Sequence, residues 1–178
     1  KIWNKLDKLI VLTEFAKNKF IEFGIPEKKL AVKANFINEN SKTKILNPVK
    51  EEFVLYIGRL STEKGLETLI KAWDGINFKL KIFGDGPLKN KIKKLTASNN
   101  KIELHNFIPN EQVSKVMSQA KFLILPSEWY EGFSITLLEA FVNKLPVLSS
   151  NIGSMQEIIK NNVNGMLFKS GDVQDLTE

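Results

Sequence analysis

Residues 121–150 read KFLILPSEWYEGFSITLLEAFVNKLPVLSS. A short apolar run over 121–125 ends at Pro126. Ser134 then opens a segment whose apolar residues recur at helical spacing from Ile135 to Val142, and a second short apolar run follows at 146–149. A strand, a helix and another strand in close succession form a βα unit, and strands joined this way lie parallel in one sheet.

The same alternation extends outward in both directions. Strands are expected at about 9–12, 30–34, 53–57, 78–83, 101–105 and 166–168, in addition to the two above. Thr13 is placed to cap a helix that runs to Phe23, with Gly24 and Pro26 after its end. Further helices are expected over Leu66–Trp73, Leu88–Leu95 and Glu111–Ala120, and Ser154 with Glu157 reads as a capping box opening a short one. The polar stretch from Asn35 to Glu52 holds a proline and shows no sustained period, so it reads as a linker. The residues before the linker make one strand, helix and strand, too little to bury a core alone. Those after it make about six βα units of an α/β fold, a Rossmann-like parallel sheet flanked by helices.

Composition narrows the function. With 178 residues and 43% hydrophobic content the chain suits one sizeable core. No apolar run approaches the roughly 20 residues that cross a bilayer, so a soluble protein is expected. The chain has no cysteine, which excludes disulfides and thiolate metal sites and fits a cytoplasmic protein. The net charge of +6 arises almost wholly from scattered lysines, Arg59 being the only arginine. Most of this charge reads as solvated surface, with an anionic ligand or lipid surface as the alternative. No nucleic-acid-binding signature is present, and nucleic acid is not expected as a partner.

In open parallel sheets ligands settle beyond the carboxyl ends of the strands, and four predicted loops there carry unusual chemistry. Gly58-Arg59-Leu60-Ser61-Thr62-Glu63-Lys64-Gly65 sets a guanidinium and an ammonium between glycines, a pair able to neutralise a pyrophosphate or to form an ordinary charged loop. It is not a Walker loop. Gly84-Asp85-Gly86-Pro87 allows either close approach to a ligand or a plain tight turn. In Asn106-Phe107-Ile108-Pro109 the main chain of Ile108 is positioned to meet a base edge, and His105 reads as a packed sheet-end residue. In 126–141, Ser134 as N-cap turns the amides of Phe133, Ser134, Ile135 and Thr136 outward, a ready phosphate site. Glu139 lies two turns into an apolar helix, where a carboxylate needs a ligand hydroxyl, a cation or a lysine partner. Glu131 stands just before that helix, and Glu128 is expected to be simply exposed. Trp129 and Tyr130 read as packing aromatics or as a sugar-stacking pair.

In order along the chain, YIGRLSTEKGLETLIKAW, IFGDGPL, IELHNFIP, LPSEWYEGFSITLLEAF, PVLSSNIGSMQEII and NGMLF resemble glycosyltransferase family 4, retaining enzymes built from two facing Rossmann-like domains (GT-B). The combination of the GR-L-x-x-EKG loop with Glu131 and Glu139, separated by seven residues, is the specific part. The resemblance implies the C-terminal, donor-binding half of such an enzyme: 1–36 as the end of the N-terminal domain and crossover, 37–52 as linker, and 53–178 as a donor-binding domain truncated at its C-terminal end. It implies that Arg59 and Lys64 hold the donor pyrophosphate with amides of Phe133 to Thr136, alongside Gly58, Gly84 and Gly132. Glu139 would take the ribose hydroxyls, Ile108 the base and Glu131 the donor sugar, making Glu131, Arg59 and Lys64 the catalytic set. No metal or other cofactor is implied. The substrate would be a UDP- or GDP-hexose, the acceptor a saccharide or lipid-linked glycan in cell-surface polysaccharide synthesis. The setting would be cytoplasmic, with peripheral contact at the inner membrane face as an open alternative. Because the acceptor domain would be elsewhere, this chain alone is expected to be inactive. Ser134 replaces the second glycine of the family's EGFG string, and Lys144-Leu145 stands at its small residue in xGxP. The competing readings are a noncatalytic nucleotide-binding module and a sugar epimerase or phosphorylase of similar plan.

Overall fold

The structure, a computed structural model, describes residues 5–37 and 51–178. All eight expected strands form, their ends shifted by at most two residues, and most of the expected linker falls outside the described residues. The larger unit is a six-stranded, wholly parallel sheet in the order β5-β4-β3-β6-β7-β8. Its strands are β3 (Phe53–Ile57), β4 (Lys79–Phe83), β5 (Ile102–His105), β6 (Phe122–Leu125), β7 (Val147–Ser150) and β8 (Gly165–Phe168). Before them, β1 (Leu9–Val11) and β2 (Leu30–Val32) pair in parallel around α1 (Glu14–Glu22).

The helices are α2 (Leu66–Ala72), α3 (Lys89–Thr96), α4 (Asn110–Gln119), α5 (Ile135–Val142), α6 (Met155–Ile158) and α7 (Val173–Thr177). They cover both faces, which is why FVLYI reads as one continuous apolar run instead of alternating. Val54 and Tyr56 point to one side, against Leu66, Leu69, Trp73 and Ile92. Phe53 and Leu55 point to the other, against Val113, Met117, Leu137 and Ala140. The chain passes from β3 outward to β5, then returns to lay β6 on the other side of β3. That reversal leaves a crevice beyond the carboxyl ends of β3 and β6.

Thr13 caps α1 by accepting from the Ala16 amide at 3.1 Å. The capping box expected of Ser154 and Glu157 does not form. Ser154 is itself helical and makes no side-chain cap. Its hydroxyl donates to the Glu131 carbonyl at 2.8 Å, while Glu157 accepts from the amides of Glu14 and Phe15 at 3.2 and 3.0 Å. Thus Glu157 caps α1, 142 residues away along the chain, because the tertiary fold brings those orphan amides closer than those of its own four-residue helix. At the end of α5, Lys144 takes a φ of 53°. The turn there is a Schellman closure, with Leu145 N–H on the Ala140 carbonyl at 2.9 Å and Lys144 N–H on that of Phe141 at 3.0 Å. The left-handed residue favoured in that motif is therefore supplied by a lysine.

Among the described residues no helix is long and apolar enough to cross a membrane.

Candidate functional site

The loop after β3 and the loop after β6 meet backbone to backbone. Gly65, at φ 65°, closes a 3-10 turn over Thr62–Lys64, and a Cβ there would stand 1.8 Å from the Pro126 carbonyl oxygen. The Glu128 amide donates to the Glu63 carbonyl at 2.9 Å. Glu128 is not simply exposed: its half-buried carboxylate accepts from Thr68 Oγ1 at 2.6 Å and ties α2 to this junction. On the other side a Cβ on Gly84 would lie 2.0 Å from the Gly58 carbonyl oxygen. Gly84 is therefore demanded by loop packing, and its place on the cleft wall follows from that.

Buried Tyr56 fixes the Arg59 backbone by donating from its hydroxyl to the Arg59 carbonyl at 2.9 Å. Burial, reinforced by the carboxylates of Glu131 and Glu63, pushes that phenol well above its ordinary range, so it stays a donor. The Arg59 side chain is exposed, and no carboxylate lies at ion-pair distance from it among the described residues. Glu63, held below the usual carboxylate range by the Ser61 hydroxyl at 2.5 Å and then by its own amide, feels Arg59 and Lys64 only as more distant charges.

The crevice has two lobes. One, of about 280 Å³, is lined by Lys64, Ser127, Glu131, Phe133 and Ser134. The other, of about 350 Å³, is lined by Phe83, Gly84, Phe107, Ile108, Val113 and Glu139. Gly58, Arg59, Ile135 and Thr136 border both, so the lobes join at the start of α5. Ser134 caps that helix by accepting from Leu137 N–H at 3.3 Å. The amides of Ile135 and Thr136, at the first two helical positions, have no intrahelical acceptor and face the junction with the positive end of the helix dipole.

Glu131 is the most elaborately held group. Its Oε1 accepts from Lys64 Nζ at 2.7 Å and also from the buried Ser127 hydroxyl. Its carbonyl accepts from buried Ser154. Glu139, half-buried, makes no ion pair among the described residues, and burial raises its pKa above the ordinary carboxylate value. The folded state therefore holds this proton more tightly than the unfolded one. Ionised Glu139 lowers stability at neutral pH, and the loss is relieved as pH falls through the raised folded value. Glu139→Gln is expected to raise the melting temperature at pH 7 by about 1–3 °C and to have no effect near pH 4. An equal gain at both pH values would remove burial of the charge as its cause.

Every site residue named from the sequence lines one lobe or both except Gly132, which is exposed on the turn between Glu131 and Phe133. His105 stacks on Phe83 with ring centroids 4.4 Å apart, as a sheet-end residue. Trp129 is 71% exposed and does not pack. Tyr130 meets Phe15 of α1 edge-on at 4.9 Å. Ser127 and Tyr56 escaped the sequence reading, because a serine after a strand and a tyrosine within one carry no local signal of the partners they find. No group of three or more metal-ligating side chains converges among the described residues.

The crevice thus places Arg59 and a helix start at the junction of two lobes, one lined by Asp85 and Glu139 among largely apolar residues and the other by Lys64 and Glu131. The sequence pattern of the glycosyl transferases group 1 family matches residues 37–178. The chain belongs to this family. It is 30% identical over 174 residues to an uncharacterised glycosyltransferase of Methanocaldococcus jannaschii, covering 97% of this chain and 48% of the relative. It is 28% identical over 191 residues to the amylovoran biosynthesis glycosyltransferase AmsK of Erwinia amylovora, covering 99% and 47%. Among known structures, the lipopolysaccharide outer core galactosyltransferase WaaB superposes with a TM-score of 0.80 at 26% identity, over 96% of this chain and 51% of that one. Anabaena HepE, in complex with UDP and glucose, superposes at 0.85 with 19% identity, over 96% and 52%. The chain spans about half the length of the curated relatives it matches, and its fold is that of the C-terminal half of a GT-B glycosyltransferase.

Proposed function

We propose that this chain holds the nucleotide-sugar donor of a retaining glycosyltransferase, which moves a hexosyl unit from a UDP- or GDP-sugar to a saccharide or lipid-linked acceptor in polysaccharide synthesis. The observation that carries this reading is the order of chemistry along the crevice. An apolar lobe with Glu139 suits a base and the ribose diol. The junction of Arg59 and the α5 amides, with Lys64 beside it in the neighbouring lobe, suits a diphosphate, and the Glu131 end of that lobe suits a sugar. Breaking the glycosidic bond leaves charge on the departing diphosphate, and fixed cations and oriented amides stabilise it as it develops. The family's polysaccharide enzymes, AmsK among them, support the pathway class, and the UDP and glucose held by HepE suggest the probe.

Charge neutralisation by Arg59, Lys64 and amides makes binding independent of a divalent cation in this proposal. Titrating UDP and GDP into the chain by calorimetry, with magnesium and then with excess chelator, is expected to give dissociation constants within about threefold of each other. A loss greater than about tenfold, or about 1.4 kcal/mol, in chelator would replace the cation-free site with a metal-bridged one. Failure of both nucleotides to bind would remove the donor-site reading altogether.

A further inference from the structure

We propose that Glu131 competes with the ligand's diphosphate for Lys64, and thereby biases the crevice toward the intact nucleotide sugar over the spent nucleotide. This rests on the donor-site reading above. Lys64 and Glu131 are 2.7 Å apart, with side chains only 28% and 17% exposed, so the pair is partly shielded from water. It occupies the cation that the diphosphate needs. Arg59, in contrast, has no carboxylate partner at ion-pair distance among the described residues and is open to the ligand.

The carboxylate does not depend on Lys64 to keep its place. Ser127, 3% exposed, donates to the same Oε1, and Ser154, fully buried, donates to the Glu131 carbonyl. These two serines come from different loops, one after β6 and the other after β7. Lys64 sits on a third, closed by Gly65, and meets Glu131 through its side-chain ammonium. When a diphosphate enters, Lys64 either leaves Glu131 or stays and sets a carboxylate beside the phosphate. Both alternatives weaken binding of the bare diphosphate. A nucleotide sugar offsets the loss, because its hydroxyls donate to the carboxylate that Ser127 holds in place. Once the sugar has been transferred, nothing replaces Lys64 on Glu131, and the pair re-forms as the nucleotide leaves.

The test measures dissociation constants of UDP and UDP-glucose, and of GDP and GDP-mannose if the uridine ligands do not bind. The unmodified chain is compared with Glu131→Gln and Ser127→Ala at matched melting temperature. Glu131→Gln is expected to bind the bare diphosphate about two- to tenfold more tightly and to lose preference for the sugar-bearing ligand. Ser127→Ala should leave the diphosphate within about twofold and weaken the nucleotide sugar about two- to tenfold, since the carboxylate then follows Lys64. A diphosphate that binds Glu131→Gln no more tightly, or less tightly, overturns the competition and makes Glu131 a group that orients Lys64 for phosphate. A loss of diphosphate affinity in Ser127→Ala overturns the anchoring role. Binding of none of the four ligands to the unmodified chain instead fails the donor-site reading.

Discussion

Gly65→Ala is expected to lower the melting temperature by about 6–12 °C. Gly65 sits at φ 65° and ψ 24°, a conformation that costs an L side chain about 1–2 kcal/mol. A steric penalty of similar size adds to it. The new Cβ would stand 1.8 Å from the Pro126 carbonyl oxygen and 2.9 Å from its carbon, and neither is the end of a flexible side chain. The two loops must separate, which strains the Glu128–Glu63 backbone bond and the Thr68–Glu128 bond that hold α2 against them. A combined cost of about 3 kcal/mol, at about 2–4 °C per kcal/mol for a chain of this length, gives the expected shift. Gly132→Ala is the control. Beyond its own chain neighbours no atom lies within 4 Å of its added Cβ, and its melting temperature should move by less than about 1 °C. Calorimetric melting of both variants checks this, and indistinguishable curves would refute the backbone contact between the loops.

Arg59→Lys should weaken the binding of a nucleoside diphosphate by about ten- to a hundredfold while leaving the melting temperature unchanged. The Arg59 backbone is fixed by the Tyr56 hydroxyl at 2.9 Å, and its side chain borders both lobes of the crevice. Being exposed and without an ion pair among the described residues, the guanidinium contributes little to folding. Facing a diphosphate, its planar fork offers two parallel bonds to adjacent oxygens, and lysine keeps the charge but cannot reproduce that geometry. One charge-assisted hydrogen bond is worth roughly 1.5–3 kcal/mol, which sets the range. If calorimetry on a variant of unchanged stability returns the original dissociation constant, Arg59 is only surface charge and the proposed diphosphate site loses its principal cation.

The amino-acid sequence by itself determined the architecture, because the clues it uses are local. Short apolar runs such as FVLYI and FLIL alternate with segments of helical period, and that order dictates the parallel sheet. The caps at Thr13 and Ser134 depend on bonds spanning three residues, so they too were legible. Arg59, Lys64, Glu131 and Glu139 were also named from the sequence, and the fold brings all four to the one crevice beyond the carboxyl ends of β3 and β6.

Only the tertiary structure decided who meets whom. Glu157 looked like a partner for Ser154, three residues away, yet it caps α1 while Ser154 binds Glu131. Lys64 and Glu131 are 67 residues apart in the chain and 2.7 Å apart in space. Gly84 looked equally suited to a ligand or a turn, and the Gly58 carbonyl, brought up by the neighbouring strand, is what its missing Cβ makes room for. A hydrogen bond or a steric contact acts over only a few ångströms, and where two loops from separate strands converge, that distance is set by the register of the sheet and not by any spacing along the chain.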